Sequence, residues 1–220
     1  MNSRRIGWLP LAAILLLLWL SGLMLQICLS YWPWQADTGF LILKHDVVEL
    51  AHWRIAFQVH VATSMLVLLA GFTQFWSRLR RRYPRWHRRL GYLYVGSVLG
   101  LAAPTGLIMA FYASGGWSVQ LCFVLLSLLW FFSTSQALRS AIAKQWQRHQ
   151  AWMIRSYALT LVALSLRTWK LGLYALAPYL DWLTPRLIYQ LEAWLALLIN
   201  LLIAEWIIRQ QSTRQYRPMS

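Results

Sequence analysis

Apolar residues run through this chain in blocks of about twenty, each long enough to cross a bilayer at ~1.5 Å per residue, and short polar clusters interrupt them. No charge occurs from Ile6 to Ala36. That run is too long for a signal-peptide core and no small-x-small cleavage site follows it, so it reads as an uncleaved first span. The blocks predict six helices at 8–29, 53–76, 90–112, 117–138, 152–174 and 187–208. Trp32-Pro33-Trp34 close the first as interfacial aromatics, and a polar loop with Asp37, Lys44, His45, Asp46 and Glu49 follows. Ser114-Gly115-Gly116 predicts a tight turn, and Pro178 and Pro185 bracket a short loop before the last span. The connectors leave no room for a soluble domain. The expected fold is all-α, a polytopic six-helix bundle forming one integral domain over 1–220.

Charge orients that bundle. The chain is 59% hydrophobic and 12% charged, against about 25% in soluble domains. Its formal charge of +15 lies in short clusters: Arg4 and Arg5, the block from Arg78 to Arg89, the connector with Arg139, Lys144 and Arg148, and the tail with Arg209, Arg214 and Arg217. Asp37, Asp46, Glu49, Asp181 and Glu192 lie toward the other side. The positive-inside rule then makes both termini cytoplasmic. The basic clusters imply topology and attraction to anionic lipid headgroups, with the bilayer and not nucleic acid as partner. Cys28 and Cys122 cannot make a disulfide framework; they read as two buried thiols or one bridge near the outer ends of their spans. Phosphate-binding glycine loops, His-Glu-x-x-His, Cys-x-x-Cys and a nucleophile elbow are all absent.

Helical phasing gathers small and polar residues onto single faces. The second span lines up His60, Ser64, Gly71, Gln74 and Arg78, and the third His87, Gly91, Tyr94, Val98 and Thr105. The fourth offers Gln120, Ser127 and Thr134; the fifth His149, Met153, Ser156, Thr160, Ala163 and Arg167. Such faces suit helix–helix packing, or else a polar interior or cofactor slot. Spans 2–3 and 4–5 form a faint repeat of two hairpins, each with one histidine ahead of its second helix, which makes His87 and His149 counterparts. The two could ligate one b-type haem iron from opposite faces, with Gly91 leaving room for the ring and Arg88 and Arg155 pairing with propionates. The alternative is an interfacial His87 touching lipid phosphate.

A second group lies toward the other side. His60 falls ~10 Å in from Trp53, and Arg167 and Glu192 each roughly 8 Å below the outer surface. A lone charge in a span costs about 2.5–3.5 kcal/mol, so an ion pair locking spans 5 and 6 is one reading. A substrate or proton site of His60, Arg167 and Glu192 is the other. Lys170 and Glu205 are near enough to helix ends to snorkel, and Asn200 is a buried hydrogen-bonding group without an evident partner.

Gly71-Phe72-Thr73-Gln74-Phe75, His87-Arg88-Arg89-Leu90-Gly91-Tyr92, His149-Gln150-Ala151-Trp152-Met153-Ile154-Arg155-Ser156-Tyr157 and Asn200-Leu201-Leu202-Ile203-Ala204-Glu205-Trp206 resemble the bacterial predicted-membrane-protein family of unknown function numbered 2306. The resemblance covers Ala51 to Ile208, departs at Gln150, where a second arginine is expected, and implies architecture and a bacterial cytoplasmic (inner) membrane. Trp86-His87 with Gly91-Tyr92 is similar, more distantly, to b-561 type transmembrane cytochromes, although the fourth span lacks their histidine. Three functions follow as expectations: a redox protein binding one haem b and exchanging electrons with quinone; a small-solute or ion carrier using His60, Arg167 and Glu192; or a non-enzymatic membrane assembly protein.

Overall fold

A computed structural model describes residues 8–32, 34–35 and 38–215. Arg4, Arg5, Pro33, Asp37 and Arg217 lie outside the described residues, as does the side chain of Arg214. Every regular element among the described residues is helical: α1 (Trp8–Leu29), α2 (Ala51–Gln74), α3 (Ser77–Arg82), α4 (Pro84–Ser97), α5 (Ala103–Ala110), α6 (Trp117–Ile142), α7 (Trp146–Thr160), α8 (Val162–Leu176) and α9 (Pro185–Gln215). Two 3-10 turns, Gly39–Lys44 and Ala177–Tyr179, and a π-helical turn, Val98–Ala102, complete them. Four helical stretches are long and apolar enough to cross a membrane: Ala51–Gln74, Pro84–Ala110, Trp117–Ile142 and Pro185–Thr213.

The basic block is itself helical, so the third span starts six residues earlier than the apolar run suggests, at Pro84. Proline at the first helical position gives up no hydrogen bond and presets φ. The fifth expected span, 152–174, is instead two helices of 15 residues each, starting at Trp146 and broken at Leu161. Gly115 and Gly116, at φ of 92° and 90°, make the expected turn into α6.

α6 packs against α5, α7 and α9; α2 packs against α4 and α5, α8 lies on α9, and α1 lies against α2 and α8. The surfaces are distributed as a bilayer requires. Leu66, Leu69, Phe131, Phe132, Leu202 and Trp206 are exposed, whereas Ser97, Ser127, Ser133, Thr134 and Ser156 are buried. Lipid tails are as apolar as leucine, so helices associate through close packing of small residues and interhelical hydrogen bonds. Gly71 shows the closeness: a Cβ there would lie 2.6 Å from the Tyr157 ring and 2.8 Å from that of Tyr94.

Two irregularities have local causes. Pro104 has no N–H for the carbonyl of Gly100 and its ring crowds that carbonyl, so the helix widens into the π turn just before it. At the Leu161 break, Asn200 of α9 donates from Nδ2 to the Ala158 carbonyl (3.0 Å) and accepts from the Ser165 hydroxyl (2.9 Å). One side chain thus bridges both sides of the break, which is the partner that Asn200 lacked in the sequence.

Candidate functional site

Both irregularities adjoin a cavity of about 310 Å³, whose walls include the residues next to them. Gly106, Met109 and Ala110 follow the π turn, and Leu159 to Leu164 flank the break. The walls are mainly apolar, with Lys44, His60, Ser64, Ser127, Thr160 and Arg167 as polar members. His60 is seated by the π turn. Its Nδ1 lies 2.9 Å from the carbonyl of Ala102 and 3.4 Å from the Thr105 hydroxyl. A carbonyl only accepts, so Nδ1 carries a proton. Gly106 makes room: a Cβ there would meet His60 Cε1 at 3.1 Å and Ser127 Oγ at 3.3 Å.

Lys44, read from the sequence as a loop charge, is 3% exposed. Its ammonium donates to the Tyr112 carbonyl and, at 2.8 Å, to the Ser114 hydroxyl, and it lies 5.7 Å from the Phe40 ring centre. Tyr112 is just past the end of α5, where carbonyls lack helical partners, so the lysine both satisfies them and meets the negative end of the helix dipole. Burial lowers the Lys44 pKa, and Asp46 opposes part of that shift. The ammonium anchors the 38–50 segment, whose Leu41, Val47 and Val48 pack with Trp53 and Phe57.

Arg167 and His60 both line the cavity, and Glu192 does not. Nor do Arg167 and Glu192 pair: Arg167 Nη1 donates to the carbonyl of Ala163 at 2.8 Å, and Glu192 Oε2 is buried without a hydrogen-bond partner. Among the described residues the ion pair is Arg155 with Glu205, through Nε at 2.5 Å and Nη2 at 2.9 Å. Both cysteines are free, Cys122 buried and Cys28 half-buried beside the cavity.

Beneath the cavity the polar faces close on themselves. Thr134 donates to the carbonyl of Trp130 (2.7 Å), so Ser156 must donate to Thr134 (2.7 Å). The Tyr94 hydroxyl lies 2.7 Å from that of Ser156 and 2.9 Å from that of Thr160, which also reaches the Ser156 carbonyl at 3.2 Å. The Trp130 indole N–H donates to Thr160 (3.1 Å). The cluster begins and ends on Trp130, and it joins α4, α6 and α7.

A family model described as "Predicted membrane protein (DUF2306)" matches residues 57–208. The chain belongs to this family. No curated protein and no solved structure matches it, so the likeness to b-561 cytochromes gains no support. The DUF2306 region supplies His60, Arg167 and both irregular helices, whereas Lys44, Tyr31 and Cys28, which also line the cavity, precede it.

Within the DUF2306 region, His87 and His149 lie within electrostatic reach of each other. The notch at Gly91 is already filled. A Cβ at Gly91 would lie 3.0 Å from Gln74 Oε1, so that glycine admits the amide of Gln74, not a flat ring. Arg155 is already committed to Glu205, and Arg88 is exposed on α4. His149 Nδ1 donates to the Ala137 carbonyl at 2.9 Å, whereas His87 Nδ1 is buried without a partner. These residues do not fit the group that the sequence suggested.

Lys44 is the site residue that phasing missed. The signal was available: it ends an apolar run, Phe40-Leu41-Ile42-Leu43, inside a loop otherwise rich in charge.

Proposed function

We propose that this DUF2306 chain is a six-span inner-membrane protein with both termini cytoplasmic, and that it carries a small, mainly apolar anion in its central cavity. The observation that supports this most is the cavity itself, about 310 Å³ with apolar walls and with Lys44, Arg167 and His60 among its polar groups. That volume is at the lower end of ligand pockets, which combine an apolar lining with a few placed polar groups. The cations favour a negative head group. Glu192, the acid nearest in the earlier scheme, is not on the wall.

Counting α1 and the paired α7–α8 with the four long stretches makes six crossings, and the basic clusters then fall on the cytoplasmic side. Carriage, more than static binding, is favoured by the interruptions in two wall helices. Carriers commonly build central sites from discontinuous helices, whose freed backbone groups face a cavity.

Binding of decanoate to the purified protein, beside decanol, decyltrimethylammonium and a short-chain quinone, tests the head group; decanoate release from proteoliposomes tests carriage. Decanoate is expected to bind best, and Arg167→Gln and Lys44→Met to weaken both readouts by about tenfold or more while the protein stays folded. Equal binding of all four probes, or release unchanged in both variants, rejects the reading.

A further inference from the structure

A second pocket, of about 450 Å³, lies where α6 turns into α7 and is independent of the central cavity. Arg139, Arg148 and Arg155 all line it, with the amides of Gln136 and Gln145 and the hydroxyl of Ser140. No acid lines it. Glu205 engages Arg155 through Nε and Nη2, fixing that guanidinium with Nη1 left over. Arg155 is also stacked over the Trp152 ring, 4.6 Å from its centre. Arg148 reaches only the side-chain oxygen of Gln145, at 3.2 Å, and among the described residues no acid pairs with Arg139 or Arg148. The turn that creates this concavity holds Lys144 at φ 56°, a left-handed conformation uncommon for lysine. No side chain caps α7, so the positive end of its dipole adds to the same field.

We propose that this pocket seats the phosphate of an anionic phospholipid. Guanidinium groups match phosphate oxygens in fork geometry, and three of them opposed by one carboxylate leave a net positive seat. The neighbouring surface argues for a lipid over free phosphate. Helical spacing continues the pocket face of α6 from Arg139 through Gln136 to Phe132, which is 49% exposed and packs edge-to-face on Trp152 at 5.5 Å. Beyond Gln136, Phe132 and, one turn further, Leu128 give an exposed apolar strip along the same helix face, as an acyl chain needs. The seat is a defined site, distinct from the diffuse attraction that any basic cluster exerts on anionic headgroups.

Native mass spectrometry of the full chain, with phosphatidylglycerol and phosphatidylcholine of matched chains, tests this. The wild type is expected to retain one phosphatidylglycerol more than the double variant Arg139→Gln/Arg148→Gln, with no such difference for phosphatidylcholine. Arg155 is left intact because its loss would strand Glu205, and a melting curve confirms that the double variant is folded. The double variant Arg88→Gln/Arg89→Gln removes equal charge elsewhere on the basic side and should keep the lipid. Equal loss in this control, or retention unchanged in the first variant, overturns the seat. Full displacement of the lipid by millimolar inorganic phosphate overturns the lipid assignment in favour of a free anion.

Discussion

The phenol of Tyr94 and the hydroxyl of Ser156 share a hydrogen bond of 2.7 Å, and neither residue is exposed. That bond is one member of a closed hydroxyl cluster with Thr134, Thr160 and Trp130, so removing a single hydroxyl leaves its neighbours short. Tyr94→Phe keeps the shape and deletes the oxygen. It is expected to destabilise the protein by about 1–2 kcal/mol, between the modest value of an intramembrane hydrogen bond and the cost of stranding a buried group. Denaturant unfolding in detergent measures it. Ser156→Ala in the Tyr94→Phe background should cost less than Ser156→Ala alone, because the two act on one cluster. Strict additivity would show that the cluster is not a unit.

Gly71→Ala should be destabilising by about 1–3 kcal/mol, as overpacking of a tight contact is. Its added carbon would fall 2.6 Å from the Tyr157 ring and 2.8 Å from that of Tyr94. The Tyr157 hydroxyl donates to the Leu68 carbonyl and the Tyr94 hydroxyl belongs to the network, so neither ring can retreat without disturbing a hydrogen bond. Gly96 is the control, since nothing lies within 4 Å of the position its Cβ would take. Gly96→Ala is expected to be neutral or slightly stabilising, because it lowers the conformational freedom of the unfolded helix. Paired melting curves of the two variants decide the matter.

These residues also mark what the sequence made legible. A period of 3.6 put Tyr94, Thr134, Ser156 and Thr160 on inward faces, and all four are inside. Phasing states which way a residue points and not what it meets. The small side chain of Gly91 was therefore visible, but its occupant, Gln74, came from another helix. Pro104 announces a helix irregularity, while Leu161 has no proline or glycine beside it and its break is bridged from Asn200, 39 positions further on. Arg155 and Glu205 pair only through the register of α7 against α9, which no local pattern records. Lys44 was misread because charge in a connector ordinarily means solvent, and here the connector folds inward.

The buried Lys44 ammonium predicts a pH dependence of known sign. Burial lowers its pKa in the fold below the ordinary lysine value of 10.5. Below the lowered pKa, folded and unfolded chains both hold the proton and the full cost of burying the charge is present. Between the two values the unfolded chain binds more protons, so stability rises with pH, and above 10.5 the cost is gone. Wild-type melting temperature is therefore expected to rise relative to Lys44→Met as pH increases through the alkaline range up to 10.5. A difference that stays flat from neutral pH to the top of that range would show that Lys44 keeps its proton equally in both states.

Asn200 supplies the last prediction, because its two bonds divide cleanly. Its Nδ2 donates to Ala158 on one side of the Leu161 break and its Oδ1 accepts from Ser165 on the other. Asn200→Leu keeps much of the volume and removes both bonds, so it should cost about 1–2 kcal/mol. Ser165→Ala removes only the second bond and should cost less than half as much. Faster amide exchange in the Asn200 variant is expected to concentrate around Leu161 to Ser165, the segment that the bridge spans, and not in α2 or α6. Because that segment also walls the cavity, the variant should bind the decanoate probe more weakly than its stability loss alone accounts for. Uniform acceleration of exchange along the whole chain would instead make Asn200 an ordinary packing residue of α9.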